Sequence, residues 1–462
     1  MQEGRPLMPG TPSEAQSRHT LMTETPIPRL VTRMAMPTMA SMLVTSIYNM
    51  ADTYFVGMLG QSASGAVGVV FTLMLFIQAI GFTLGMGSGA NIAQLLGAKD
   101  EETASRIAST GFFTSLLLGL VLAVGGLVFL DPLVYLLGAT PTIAPHARAY
   151  GSYILIGAPY MAASFVVNNI LRSQGNAFWS MIGLTTGGVL NILLDPLFIF
   201  VFDMGTAGAA LATIVSQLVS FLILLVMVMR HSAARISLRK VHFSYLKRIL
   251  PVGLPSFYRQ GLTSLATILL NRAAGVYGDA AIAAMSIVSR IMGFFFSALI
   301  GFYQGFQPVC GFNYGAGLTA RVRQAILFCL RVSTIGLCII AALAIAFAEP
   351  LVGLFRQGDT EVIAIGARAL RLQAAVLPTM GWAVITNMAH QALGMSAKAS
   401  LLAIGRQGMF FIPLILLLPL LFGLTGVQLA QPVADLCSFL LAFPFGLSLL
   451  RGLKDGSIRR AS

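Results

Sequence analysis

A chain of 462 residues that is 56% hydrophobic and only 10% charged is no soluble domain, since those carry about 25% charged residues. The mean hydropathy of +0.83 points the same way. A formal charge of +13 would suggest nucleic acid as the partner of a soluble protein, but here the basic residues sort by side of a bilayer, which excludes that partner.

Residues 1–28 are polar, rich in Pro, Thr and Ser, and lack the apolar core of a signal peptide, which predicts a disordered cytoplasmic tail. Spanning a bilayer takes about 20 mostly apolar residues. Such windows follow at 30–54, 63–88, 105–130, 147–171, 177–202 and 207–229. The basic stretch 230–247 reads as a cytoplasmic linker. Six more windows cover 248–274, 281–306, 323–348, 363–390, 399–421 and 425–449, ahead of a polar tail, 451–462. Their continuous rather than alternating apolar character disfavours a membrane barrel. The prediction is an all-α integral membrane protein of twelve transmembrane helices in two six-helix lobes, 29–229 and 248–450. Inner segments hold Arg5, Arg18, Lys99, Arg172, Arg321, Lys398, Arg459 and Arg460, whereas outer ones hold chiefly Arg148, Arg272, Arg356 and Arg368. That bias puts both termini in the cytoplasm of a cell with this protein in its inner or plasma membrane. Cys310, Cys329, Cys338 and Cys437 lack metal-like spacing and read as free thiols.

Shifted by 218 positions, the chain matches itself. Pro37 falls on Pro255, Gly60 on Gly278, Gly87 on Gly305, Gly97-Ala98 on Gly315-Ala316, and Gly205 and Gly208 on Gly423 and Gly426. Helix-breaking residues in one common register indicate duplication. Six crossings per copy is an even number, so the copies share one orientation and their lobes can rock about a central cavity. Pro37 and Pro255 should bend the helices lining it.

An ionisable residue deep in a membrane costs about 2.5–3.5 kcal/mol on insertion scales, so each needs a reason. Asp52 shares a helical face with Tyr48 and Asn49; Asp195 shares one with Asn191, and Pro196 frees the carbonyl of Ile192. The first and fifth spans both run outward with their acids at similar depth, and Thr213 in the sixth reaches the same level. Oxygen ligands thus cluster where a proton or sodium ion could bind, at Asp52, Asn191, Asp195 and Thr213. Two acids facing each other in low dielectric would also make the site proton-sensitive.

The stretch Asp52-Thr53-Tyr54-Phe55-Val56-Gly57, the run Asn191 to Phe198 and the doubled twelve-helix layout resemble the MATE family of multidrug and toxic compound extrusion transporters. The resemblance implies export of amphipathic, often cationic drugs in exchange for inward H+ or Na+, with no cofactor and no enzymatic activity. It is closest to a bacterial and archaeal branch with the ion site in the N-terminal lobe, whose site residues match Asp52, Asn191, Asp195 and Thr213, with Asn168 as a further polar member. Another branch uses an acid in the seventh helix, where this chain reads Pro255-Ser256-Phe257-Tyr258-Arg259-Gln260.

The equivalents of Asp52 and Asp195 are Leu270 and Pro413, so coupling should reside in the first lobe alone. Tyr48, Asn49, Gln260, Phe296 and Tyr303 are candidates for the substrate cavity, whose aromatic rings would suit flat organic cations. Asp435 is the one acid of the second lobe that looks deep, with Arg259, Arg290 and Arg406 as its possible partners. The alternative function is a lipid-linked oligosaccharide flippase of the same superfamily, which a converging arginine cluster would favour. The protein is expected to act as a monomer.

Overall fold

The computed structural model describes residues 14–355 and 359–458. Arg5, Arg356, Arg459 and Arg460, with the first thirteen residues of the expected tail, lie outside them. Among the described residues the chain is helical throughout, without strands. In the first half come α1 (Glu14–Glu24), α2 (Ile27–Gly57), α3 (Gln61–Gly97), α4 (Glu101–Val128), α5 (Leu130–Leu136), α6 (Ala144–Ser173), α7 (Ala177–Pro196) and α8 (Gly205–His231). The second half holds α9 (Leu246–Gly275), α10 (Asp279–Gly315), α11 (Thr319–Ala346), α12 (Ala348–Gly353), α13 (Thr360–Ala392), α14 (Ser396–Ile404), α15 (Ile412–Phe422) and α16 (Leu424–Asp455). Single π-helical segments, Leu197–Val201 and Gly405–Phe411, follow α7 and join α14 to α15.

Among the described residues, eleven helices are long and apolar enough to cross a membrane. The expected seventh span, α9, falls short of that measure because Arg259, Gln260, Thr263, Ser264 and Thr267 lower its hydropathy. The duplication is visible to the residue: a shift of 218 carries α3 onto α10 and α4 onto α11, end to end. Both α3 and α10 start after a glycine with positive φ, Gly60 and Gly278, a backbone state that costs other residues energy.

One apolar core occupies the end of the bundle that carries the 230–247 connection and draws from both halves, from Leu84, Phe112 and Val166 to Phe306, Ile326 and Leu453. Toward the far end it gives way to two separate cores, one within each half. The lobes therefore meet at the linker end. There they approach backbone to backbone: a Cβ on Gly315 would overlap the Gln94 carbonyl, and one on its counterpart Gly97 the Phe312 carbonyl. Gly87 packs likewise on Ile249, and Gly305 on Ala35. Arg172 adds a bond across the seam to Gln304. From the Ser46–Ser297 bond of 2.6 Å outward, α2 and α9 carry exposed polar residues, Asn49, Thr53, Thr263 and Thr267.

The expectation of a disordered tail through residue 28 is corrected for its second part. Residues 14–24 form α1, and α2 begins at Ile27. Alone, so polar a segment would not hold a helix, but tertiary contacts fix it. Met22 is fully buried, which contributes roughly 1.5–3 kcal/mol. Arg18 donates to the His231 carbonyl at 2.9 Å on the first lobe, and Asn313 of the second donates to the Met22 carbonyl at 3.1 Å. The connection between lobes is also pinned, through Lys240 to Glu102 at 2.8 Å and the His242 amide to Thr110 at 3.1 Å. The last span runs past 450 as far as Asp455.

Candidate ion and substrate sites

The helices that carry the N-lobe acids and Thr213 pack together because small residues let them close up. Gly188 presses on Val44 and Tyr48 of α2, and Gly187 on Ser216 and Ser220 of α8, so α7 lies between both. Asp195 is completely buried in the last turn of α7. Asn191, one turn earlier, donates to its Oδ1 at 3.3 Å. Asp52 sits on α2, whose Val44 and Tyr48 pack against Gly188 of the same α7, and its Oδ1 is buried as well. Thr213 of α8 is buried and donates to the Ala209 carbonyl at 3.0 Å. The π-helical segment directly after Pro196 follows from the missing proline donor.

Three acceptor oxygens of this group, Asp52 Oδ1, Asn191 Oδ1 and Asp195 Oδ2, are buried without a hydrogen-bond partner. Buried acceptors in that condition are costly unless a donor or cation meets them. The set suits a small hard cation or protons.

Two members, Gln217 and Tyr150, escaped the sequence reading. Gln217 lies beside Tyr48, and Thr213 beside the buried Tyr150. Gln217 follows Thr213 by one turn on the same face, a spacing the sequence does display. Asn168 is a correction. It donates to Ser180 at 2.6 Å near the linker end, and Asp195 lies fifteen residues farther along the same helix as Ser180, or about 22 Å at 1.5 Å per residue.

The second lobe is built otherwise. Arg406 pairs with Asp435 at 2.8 Å, and Gln431 donates to the same carboxylate at 2.7 Å. The Arg406 guanidinium lies 4.6 Å over the Phe296 ring, which makes Phe296 part of that polar wall. Arg259 donates to Asn387 Oδ1 at 3.3 Å and Ser256 Oγ at 3.2 Å. It lines one cavity together with Arg406, whereas Arg290 stands exposed elsewhere on α10. Gln260 faces Gln78 across the lobes at 3.5 Å, and Asn49 is exposed. Tyr303 is instead fully buried in the shared linker-end core, because it falls in the half of α10 where the lobes pack together. No group of three or more His, Cys, Asp or Glu able to hold a metal occurs among the described residues.

The MatE family model matches the chain twice, over residues 37–197 and 255–417, one match for each lobe. The chain belongs to the MatE family. It is thus a multi-pass membrane transporter, not an enzyme. This MatE chain is 29% identical over 422 residues to the multidrug export protein MepA of Staphylococcus aureus strain MSSA476, covering 90% of the chain and 92% of MepA. Among solved structures it is similar to one described as an outward-facing conformation of a multidrug resistance MATE family transporter, with TM-score 0.88, 28% identity and coverage of 94% and 98%. It is equally similar in sequence, at 28%, to a MOP superfamily transporter from Pyrococcus furiosus whose binding pocket is described as of reverse polarity, suggesting a different function. There the TM-score is 0.87, with coverage of 94% and 98%.

Proposed function

We propose that this transporter exports amphipathic, cationic small molecules in exchange for H+ or Na+ bound between Asp52 and Asp195. One observation carries the reading: three acceptor oxygens, from Asp52, Asn191 and Asp195, are buried without partners on the two packed helices α2 and α7. Protons or a sodium ion entering there neutralise the acids and draw α2, α7 and α8 together. A drug bound in the opening between the lobes favours the other arrangement, so the two ligands exclude each other. The protein works as a monomer in the plasma membrane, both termini cytoplasmic, with the linker-end seam as its inner gate. Shared packing at one end and separate cores at the other support rocking of two rigid lobes. The export reading also draws on the similarity to MepA.

The flippase reading has one observation in its favour, the shared cavity of Arg259 and Arg406. Asp435 neutralises Arg406 and Arg290 stands apart, which leaves too little positive charge for a pyrophosphate. Replacing Asp52 or Asp195 by Asn in cells lacking other efflux pumps should abolish drug resistance while the protein accumulates at its normal level. Wild-type resistance in both variants would dismiss the coupling role.

A further inference from the structure

The second lobe contains a positive charge that nothing in it balances. Arg259 sits in the middle of α9, partly buried, and its hydrogen-bond partners Asn387 and Ser256 are neutral. A guanidinium has five N–H donors, and only two bonds to acceptors engage them among the described residues. The nearby carboxylate is already spent: Asp435 receives Arg406 at 2.8 and 3.4 Å and Gln431 at 2.7 Å. Arg259 forms no ion pair among the described residues. An unpaired charge at membrane depth is expensive and therefore calls for a counter-ion.

Space for one exists beside it. A cavity of about 70 Å³ is lined by Arg259, Asn387, Arg406, Gln407 and Ser438. By the same measure a single water needs about 10–15 Å³, so the cavity takes a carboxylate or a chloride ion with water. Arg406 and Gln407 reach it from the π-helical segment, a local widening that turns side chains out of the regular helical register and often marks a functional position. The Oε1 of Gln407 is buried there without a partner, an acceptor for an N–H, an O–H or a water beside the anion.

We infer that the cavity around Arg259 is a subsite for a single negative charge, filled by the carboxylate of a zwitterionic substrate or by chloride accompanying a purely cationic one. This deepens the efflux reading and rests on it. The transporter would then hold the two ends of a zwitterionic drug on different lobes, with the ammonium toward the acids and the carboxylate on Arg259.

The test uses the full chain in lipid nanodiscs and two probes, a fluoroquinolone carboxylic acid and its methyl ester, each in chloride and in gluconate buffer. Wild type should bind the acid more tightly than the ester. Arg259→Gln should lose about tenfold or more for the acid, as for a charge-assisted hydrogen bond removed, and less than about threefold for the ester. Arg259→Lys should keep the preference. If chloride is the occupant, the ester should bind wild type more tightly in chloride than in gluconate, and Arg259→Gln should abolish that difference. A wild type with neither preference overturns the subsite even if no variant folds, and so does an Arg259→Gln protein that retains both. Failure of wild type to bind either probe would sink the efflux reading. The subsite would then be judged on bromide quenching of Trp382, next to cavity residue Ala383: quenching lost in Arg259→Gln supports it, and quenching unchanged overturns it.

Discussion

The two lobes share a backbone and differ in polarity. Under the 218-position shift α3 falls on α10 and α4 on α11 residue for residue, and each lobe supplies a matching glycine, Gly97 and Gly315, to the seam. Inside, the first lobe carries two buried acids that form no ion pair among the described residues, whereas the second lines one cavity with two arginines, of which only Arg406 meets an acid, Asp435. Packing between repeats constrains surfaces that must fit each other, but it leaves each interior free to take a different charge. The result is a scaffold with buried acids in one lobe and a pair of arginines in the other.

The hardest way to break this comparison is to give the second lobe the first lobe's acid. Leu270, the equivalent of Asp52, is packed in the far-end apolar core of its lobe, so Leu270→Asp should destabilise by about 4 kcal/mol or more and create no second ion site. Thermal unfolding in detergent, with and without sodium, checks both parts. Next in size, Asp435→Asn strands the charge of Arg406. Removing one partner of a buried pair costs about 3–5 kcal/mol, but Arg406 keeps 26% of its side chain exposed, and about 2 kcal/mol is the expected loss in the same assay. Export should persist in that variant at reduced level, in contrast with Asp195→Asn. Smallest, and aimed at what the lobes have in common, Gly315→Ala and Gly97→Ala should each cost about 1–3 kcal/mol by forcing the seam apart. Their effects should match each other closely; a large difference would show that the seam is not symmetric.

Much of this was legible from residue order alone. The helices stood out because a chain that stays in water rarely carries apolar runs of membrane length, and the repeat because glycines and prolines kept one register. Asp52, Asn191 and Asp195 were readable as isolated polar residues spaced by helical turns in apolar windows. What escaped depends on tertiary contact. The α1 strap is held by Asn313 and His231 from opposite lobes, and neither contact has a local signature. Asn168 looked like a member of the site until its partner proved to be Ser180. Tyr303 lies on the aromatic stretch of α10, but which part of that helix meets the other lobe is decided by Gly301 and Gly305 packing against α2. Arg406 lines the cavity with Arg259 from a π-helical segment that no residue pattern announced.

Transport in proteoliposomes under separate pH and sodium gradients tests the central claim most directly. Wild type should drive drug movement under at least one gradient, and Asp52→Asn and Asp195→Asn should each abolish that gradient dependence while drug binding in detergent survives. Undiminished gradient-driven transport by either variant would contradict the account.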